Sequence, residues 1–179
     1  MYDMPYEEFE SLFECTYSED YVQITRVKDR YATDIVIPSY IEGYQVCLPD
    51  NCSSLFSGCR RLVNLDLSDL IDTSNVTNMS FMFASCIHLE SVDFGYFDAS
   101  NIIDISGMFM DCENLMSIDL SNFEFLNKFN GNEIFSGDCN LTTIVIDESF
   151  LQNICTHFSR LFNGCDSLVN INVCSGYGL

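Results

Sequence analysis

A seven-residue signature, Phe-x-x-Cys-x-x-Leu, returns along this chain and constrains its fold more than any other feature. It reads Phe56-Ser-Gly-Cys59-Arg-Arg-Leu62, then Phe83-Ala-Ser-Cys86-Ile-His-Leu89, then Phe109-Met-Asp-Cys112-Glu-Asn-Leu115. A fourth copy, Phe135-Ser-Gly-Asp-Cys139-Asn-Leu141, has its cysteine displaced by one, and the fifth is Phe162-Asn-Gly-Cys165-Asp-Ser-Leu168. The cysteines fall 27, 26, 27 and 26 residues apart, and the Phe-to-Leu interval is six residues in every copy. A fixed period of this size marks a repeat architecture, in which each unit is too small to bury its own apolar face and stacks on its neighbours.

Stacking the copies brings out further columns. Three residues after each Leu stands Leu65, Val92, Ile118, Ile144 or Ile171, and two further on stands Leu67, Phe94, Leu120, Ile146 or Val173. Apolar residues two apart, interleaved with polar ones, predict a half-buried strand of about five residues in each unit. One strand per unit stacks into a parallel sheet. On the return path Ser53, Ser80, Ser106, Asn132 and Ser159 form one polar column, and Asn51, Asn78, Asp104, Asn130 and His157 another. Short hydrogen-bonding side chains at fixed places in a tight coil satisfy turn backbone groups. A second short extended segment is expected around 76–80 and 102–106, followed by a brief helical turn that carries Phe and Cys inward.

The periodic spacing of Cys59, Cys86, Cys112, Cys139 and Cys165 argues for buried free thiols rather than a disulfide scaffold. Cys15, Cys47, Cys52, Cys155 and Cys174 are irregularly placed, and one or two bridges among them stay open at this point. No Cys-x-x-Cys pair supports a zinc site. The balance of 27 Asp+Glu against 7 Lys+Arg, net −20, weighs against nucleic acid or anionic membranes as partners. No apolar run is long enough for a membrane span. Met1–Pro5 opens without a basic or apolar leader, so no secretory signal is expected on this chain, which would be cytoplasmic if complete.

The stretch Asp72-Thr-Ser-Asn-Val-Thr-Asn-Met-Ser-Phe-Met-Phe83-Ala-Ser-Cys86, continuing to Leu89-Glu-Ser-Val-Asp-Phe94, resembles the leucine-rich repeats of the BspA-like surface-protein group. It recurs as Asp98-Ala-Ser-Asn-Ile-Ile-Asp-Ile-Ser-Gly-Met-Phe109 and Cys112-Glu-Asn-Leu115-Met-Ser-Ile-Asp-Leu-Ser-Asn-Phe123. The resemblance covers residues 46–174. Upstream, 21–27, 34–38 and 41–46 resemble the β-hairpin that opens such arrays. The resemblance implies a right-handed solenoid with a curved parallel sheet, a cell-surface or secreted location, and attachment to host, matrix or other protein molecules. It carries no catalytic residues. Copy four departs from the pattern, with Asn127-Lys-Phe-Asn-Gly131 and an Ile144-Val-Ile146 strand without an Asp.

The expected architecture is therefore an α/β leucine-rich-repeat solenoid of about five coils over 47–179. Its parallel sheet is joined by short helical or irregular return segments. A cap over 1–46 holds a short helix at 5–15 and a β-hairpin. Fifteen residues form the expected repeat core: Phe56, Cys59, Leu62, Phe83, Cys86, Leu89, Phe109, Cys112, Leu115, Phe135, Cys139, Leu141, Phe162, Cys165 and Leu168.

Strand alternation then names the outward columns. Asp66, Asp93, Asp119, Val145 and Asn172 run down the centre, flanked by Asn64, Ser91, Ser117, Thr143 and Asn170. Neighbouring carboxylates about 5 Å apart repel by about 1 kcal/mol in water. That repulsion is met by local bonds to loop amides or solvation, by docking of a protein or glycan, or by calcium. No Asp-x-Asp-x-Asp-Gly loop supports the last reading. The candidate binding residues are Asn64, Asp66, Ser91, Asp93, Ser117, Asp119, Thr143, Asn170 and Asn172, with no catalytic or metal site and no cofactor. A Cys155/His157 nucleophile pair lacks an orienting third group. Arg26, Lys28 and Arg30 are read as pairing with the acidic segment 7–20. The sequon-like triplets at 51–53, 75–77, 78–80 and 140–142 are read as coincidence in an Asn/Ser-rich chain. Little sequence follows Val173, so end-to-end self-association through an uncapped last coil is expected as a possible partner mode.

Overall fold

The computed structural model describes residues 4–155 and 158–174. The chain opens with helix α1 (Tyr6–Leu12), which buries Phe9 and Leu12, two positions one turn apart on one face. The expected helix over 5–15 is cut short. Phe13 already belongs to strand β1 (Phe13–Tyr17), which pairs antiparallel with β2 (Tyr21–Val27) across a bulge at Glu14/Cys15. Then come β3 (Asp34–Val36), β4 (Tyr40–Ile41) and β5 (Tyr44–Cys47). Strands β4 and β5 form a tight hairpin, and β5 lies parallel to β2, giving a four-stranded cap sheet in the order β1-β2-β5-β4.

Strand β3 does not join that sheet. It pairs parallel with β6 (Asn64–Asp66), which pairs in turn with β7 (Ser91–Asp93). The segment expected in the opening hairpin is thus the first rung of the solenoid, which has about six turns rather than five. Its remaining strands are β8 (Ser117–Leu120), β9 (Thr143–Asp147) and β10 (Asn170–Cys174), with α2 (Glu148–Asn153) and the one-turn α3 (Phe158–Leu161) between the last two. Register follows the sequence period: Leu65 faces Val92, Ile118 faces Ile144, and Ile144 faces Ile171.

On the opposite side the expected second strand is reduced to single-residue parallel bridges, Asn51–Asn78, Asn78–Asp104 and Asp104–Asn130. The polar columns are structural, as read. Asn51, Asn78 and Asp104 each accept, through Oδ1, the backbone N–H two residues on, at 2.8–2.9 Å. The expected helical turn appears only before the fifth Phe, as α3; elsewhere the chain makes tight turns, as in the Cys112 N–H donating to Phe109 O at 3.0 Å. Residues two after the repeated Phe take left-handed φ in all five copies, and residues two before it in the first four. The later position is Gly58 (72°), Ser85 (61°), Asp111 (59°), Gly137 (87°) and Gly164 (81°). Neighbouring coils are stitched by backbone bonds through the same turns, from Phe56 N–H to Met82 O, Phe83 N–H to Met108 O and Phe109 N–H to Ile134 O, at 2.8–2.9 Å.

The core runs down the middle. Phe56, Phe83, Phe109, Phe135 and Phe162 form a stack with centroids 5.6, 5.3, 5.7 and 5.8 Å apart and ring planes within 21°. Leu62, Leu89, Leu115 and Leu141 are fully buried beside it, as are Cys86 and Cys112, with Cys59 nearly so. Phe162, Cys165 and Leu168 are only half-buried, and among the described residues no further coil packs over them.

One expected core residue is corrected. Cys139 is exposed, and Asp138 takes its place in the buried column. The Phe-to-Leu interval holds the turn in register, so the residue three after Phe135 points inward whatever its chemistry. All ten cysteines are free, including the five for which bridges stood open.

Candidate interaction surface

The outward columns lie where alternation puts them, because β6 to β9 bury Leu65, Val92, Ile118 and Ile144 and turn the flanking residues outward, whereas every residue of β10 is exposed. Asn64, Ser91, Ser117, Asn170, Asn172, Asp93 and Asp119 are exposed, while Asp66 and Thr143 are half-buried. Part of the face is knitted by side chains. Asn64 Nδ2 donates to Asp34 Oδ1 at 2.7 Å, and Ser91 Oγ donates to Asn64 Oδ1 at 2.8 Å. Asp34 was not among the expected surface residues. Its pattern, Asp34-Ile-Val36 against Asn64-Leu-Asp66, is the signal that could have placed it on the same face. The bonds from Asn64 and Thr33 lower its carboxyl pKa.

Each stripe carboxylate is also tied locally. Asp66, Asp93 and Asp119 accept through Oδ1 from the backbone N–H of Ser68, Gly95 and Ser121 at 2.8–2.9 Å. These bonds orient the carboxylates and answer part of their mutual repulsion.

The stripe is not evenly stacked. Asp66 faces Asp93 in register and Asp119 faces Val145, but β7 and β8 belong to separate three-stranded sheets. Among the described residues no ladder bond joins them, although the return-side bridge Asn78–Asp104 keeps the same two coils in register. The break falls where the inward aliphatic column changes to Phe94. That ring packs against Phe97 at 5.8 Å and Phe123 at 4.8 Å, and this aromatic bulk sits where neighbouring coils carry Leu67 and Leu120. The result is a cleft of about 410 Å³ lined by Ser91, Asp93, Phe94, Asp119, Asn122 and Phe123 among others. The strand face is therefore concave at its centre, with two carboxylates at the rim and the buried Phe94 and Phe123 closing the base.

The other sequence candidates stay apart from this cleft. His157 lies outside the described residues, and Cys155 is exposed with its Sγ 3.9 Å from Asn153 O. Of the three bases read as pairing with segment 7–20, Arg26 pairs with Glu14 at 3.8 Å, whereas Arg30 donates instead to the Ser57 carbonyl. Among the described residues no group of three or more His, Cys, Asp or Glu side chains is arranged to hold a metal ion, and no helix is long and apolar enough to cross a membrane.

The stacked coils, parallel strand face and irregular return path define a leucine-rich-repeat solenoid. Residues 50–173 match the family described as "Mycoplasma protein of unknown function, DUF285", and the chain belongs to that family. Among solved structures it is similar to a leucine-rich cell surface protein from Faecalibacterium prausnitzii, with TM-score 0.62 and 20% identity over 91% of this chain and 38% of that one. It is also similar to a leucine-rich-repeat protein from T. pallidum, with TM-score 0.50 and 18% identity over 98% of this chain and 84% of that one. These likenesses are likenesses of fold. No curated protein matches the chain.

Proposed function

We propose that this chain is a non-enzymatic recognition module that binds a protein or glycan partner through its strand face at a cell surface. The observation that carries the reading is the cleft between β7 and β8, where Asp93 and Asp119 flank Phe94 and Phe123. Phe94 and Phe123 close the base of the cleft, so it is its polar rim that suits sugar hydroxyls or a partner side chain, and Asn64, Ser91, Ser117 and Thr143 extend that polar surface. The test screens the chain against matrix proteins and a glycan array, then repeats any positive with Asp66, Asp93 and Asp119 changed together to Asn. Loss of binding is expected; binding that survives the triple change refutes the assignment.

A second reading, a spacer within a longer surface protein, is supported by the chain spanning only 38% of the Faecalibacterium protein. The last strand supports end-to-end association, since Ile171 and Val173 are 39% and 47% exposed where Ile118 and Ile144 are 3% and 1%. Molar mass by light scattering across a concentration series, wild type against Ile171→Lys, separates the two. A concentration-dependent rise abolished by the lysine indicates an adhesive end.

A further inference from the structure

The cap holds a second concavity, remote in sequence from the cleft on the strand face. Between α1 and the β4–β5 edge of the cap sheet lies a groove of about 430 Å³ lined by Tyr6, Glu7, Tyr17, Ile41, Glu42 and Tyr44. A neighbouring hollow of about 210 Å³ shares Tyr6, Ile41 and Glu42 and adds Met4, Pro5 and Tyr40. The larger one falls in the roughly 300–1,000 Å³ range of small-ligand pockets.

The lining is chemically one-sided: tyrosines and carboxylates over a buried aliphatic, Ile41, at 4% exposure. No lysine, arginine or histidine lines either hollow. Tyr17, Tyr40 and Tyr44 are 50%, 49% and 38% exposed, which leaves much of their surface uncovered in this chain. The tyrosines are also held in place. Tyr6 Oη donates to Glu10 Oε1 at 2.7 Å and lies 3.3 Å from Tyr17 Oη, which itself reaches Glu10 at 3.4 Å. Those bonds keep the Tyr6 phenol protonated, raising its pKa. Glu42 reaches the mouth from a two-residue turn in which it takes φ +51° beside Gly43 at +86°. That turn ordinarily takes Asn or Asp before Gly, so a glutamate there is chosen against local preference.

We propose that this groove binds a cationic side chain, arginine or lysine, presented by a protein partner. Neutral aromatic rings attract a cation through their quadrupole, and carboxylates beside them add a direct charge attraction. Charge complementarity selects this occupant. An anion meets Glu7, Glu10 and Glu42, whereas a base finds countercharge in a chain of net charge −20. The site shares no residue with the strand face, so it stands or falls independently of the recognition surface proposed there.

The experiment titrates the full-length chain with a short end-blocked peptide carrying two arginines. A second titration uses the same peptide with citrulline, which keeps the shape and removes the charge, and a third uses a neutral disaccharide. Amide and aromatic NMR shifts report the location, and calorimetry the affinity. The expected result is saturable binding of the arginine peptide, with perturbations at Tyr6, Tyr17, Glu42 and Tyr44, and at least tenfold weaker binding for citrulline. Tyr44→Ala with Glu42→Gln should weaken binding tenfold or more, while the Asp66/Asp93/Asp119 triple change to Asn leaves the groove perturbations in place. Equal binding of citrulline, perturbation of the groove by the disaccharide instead, or arginine binding that ignores the Tyr44/Glu42 changes would overturn the assignment. The last outcome is bulk attraction to an acidic surface.

Discussion

The backbone N–H of Cys112 donates to Oδ1 of Asp138 at 2.8 Å, in the column where other coils carry a thiol. Those thiols donate to a Phe carbonyl of the preceding coil, Cys86 to Phe56 O and Cys112 to Phe83 O at 3.2 Å, and Cys165 to Phe135 O at 2.8 Å. Asp138 is fully buried, and its Oδ2 has no hydrogen-bond partner. Burial pushes its pKa up to about 9; the Cys112 N–H pulls it down and the Asp111 charge adds to the rise. Protonation spares this buried column an unpaired charge, so burial favours the acid over the carboxylate.

The folded pKa lies above the ordinary 3.8, so the folded state holds the extra proton between those values. The stability this proton confers is fully present below about pH 4 and is lost as pH rises through about 9, at up to about 1.4 kcal/mol per pH unit. Urea unfolding of wild type and Asp138→Asn at pH 5, 6.5 and 8 isolates the effect from the other acids. The difference between the two proteins should move steadily in favour of Asn as pH rises, and a pH-independent difference would show that Asp138 is not protonated in the fold.

Phe109 sits in the middle of the ring stack, fully buried, with Phe83 at 5.3 Å and Phe135 at 5.7 Å. Its replacement by Ala leaves a cavity between two coils that the backbone bonds hold at fixed spacing. A loss of about 3–5 kcal/mol in chemical denaturation is expected. A loss under about 1 kcal/mol would mean that the coils collapse onto the gap, contrary to the usual cost of a core cavity.

Ser85 takes φ 61° at the position where three other coils carry Gly58, Gly137 and Gly164. A left-handed residue with a Cβ costs roughly 1–2 kcal/mol, partly offset in glycine by its greater entropy loss. Ser85→Gly should therefore raise stability by roughly 0.5–1 kcal/mol, visible as a shifted denaturant midpoint at unchanged slope.

Burial raises the thiol pKa of Cys52 and Cys86 to about 12 and that of Cys112 well above its ordinary value, which denies them a reactive thiolate near neutrality. Cys139, Cys155 and Cys174 are exposed. Iodoacetamide at pH 8 followed by peptide mass mapping should label those three in the folded chain and the buried three only in urea. Rapid labelling of Cys112 without denaturant would contradict the core described here.

Much of this fold was legible in the residues because repeat periodicity converts directly into geometry. A Phe-to-Phe period of 26 or 27 residues with a constant interval from Phe to Leu brings equivalent positions of successive coils into line, so the Phe stack, the inward strand residues and the Asn/Asp turn bonds could be read as columns. Even the misplaced Cys139 was visible as a displacement. What took its place inside was decided by the turn, since spacing and not polarity sets which side chain points inward; a buried Asp138 followed.

Local sequence determined which residues face the core within each strand, because alternation is a property of the extended chain itself. Which strands pair depends on how bulk from different coils fits together, and only the assembled structure decided that. Asp34–Val36 left the cap sheet to become the first rung of the solenoid, and Phe94 with Phe97 and Phe123 occupied the place where β7 and β8 would close. The cleft on the strand face and the tyrosine groove of the cap both arise from such packing between elements distant in sequence, so neither could be counted out along the chain.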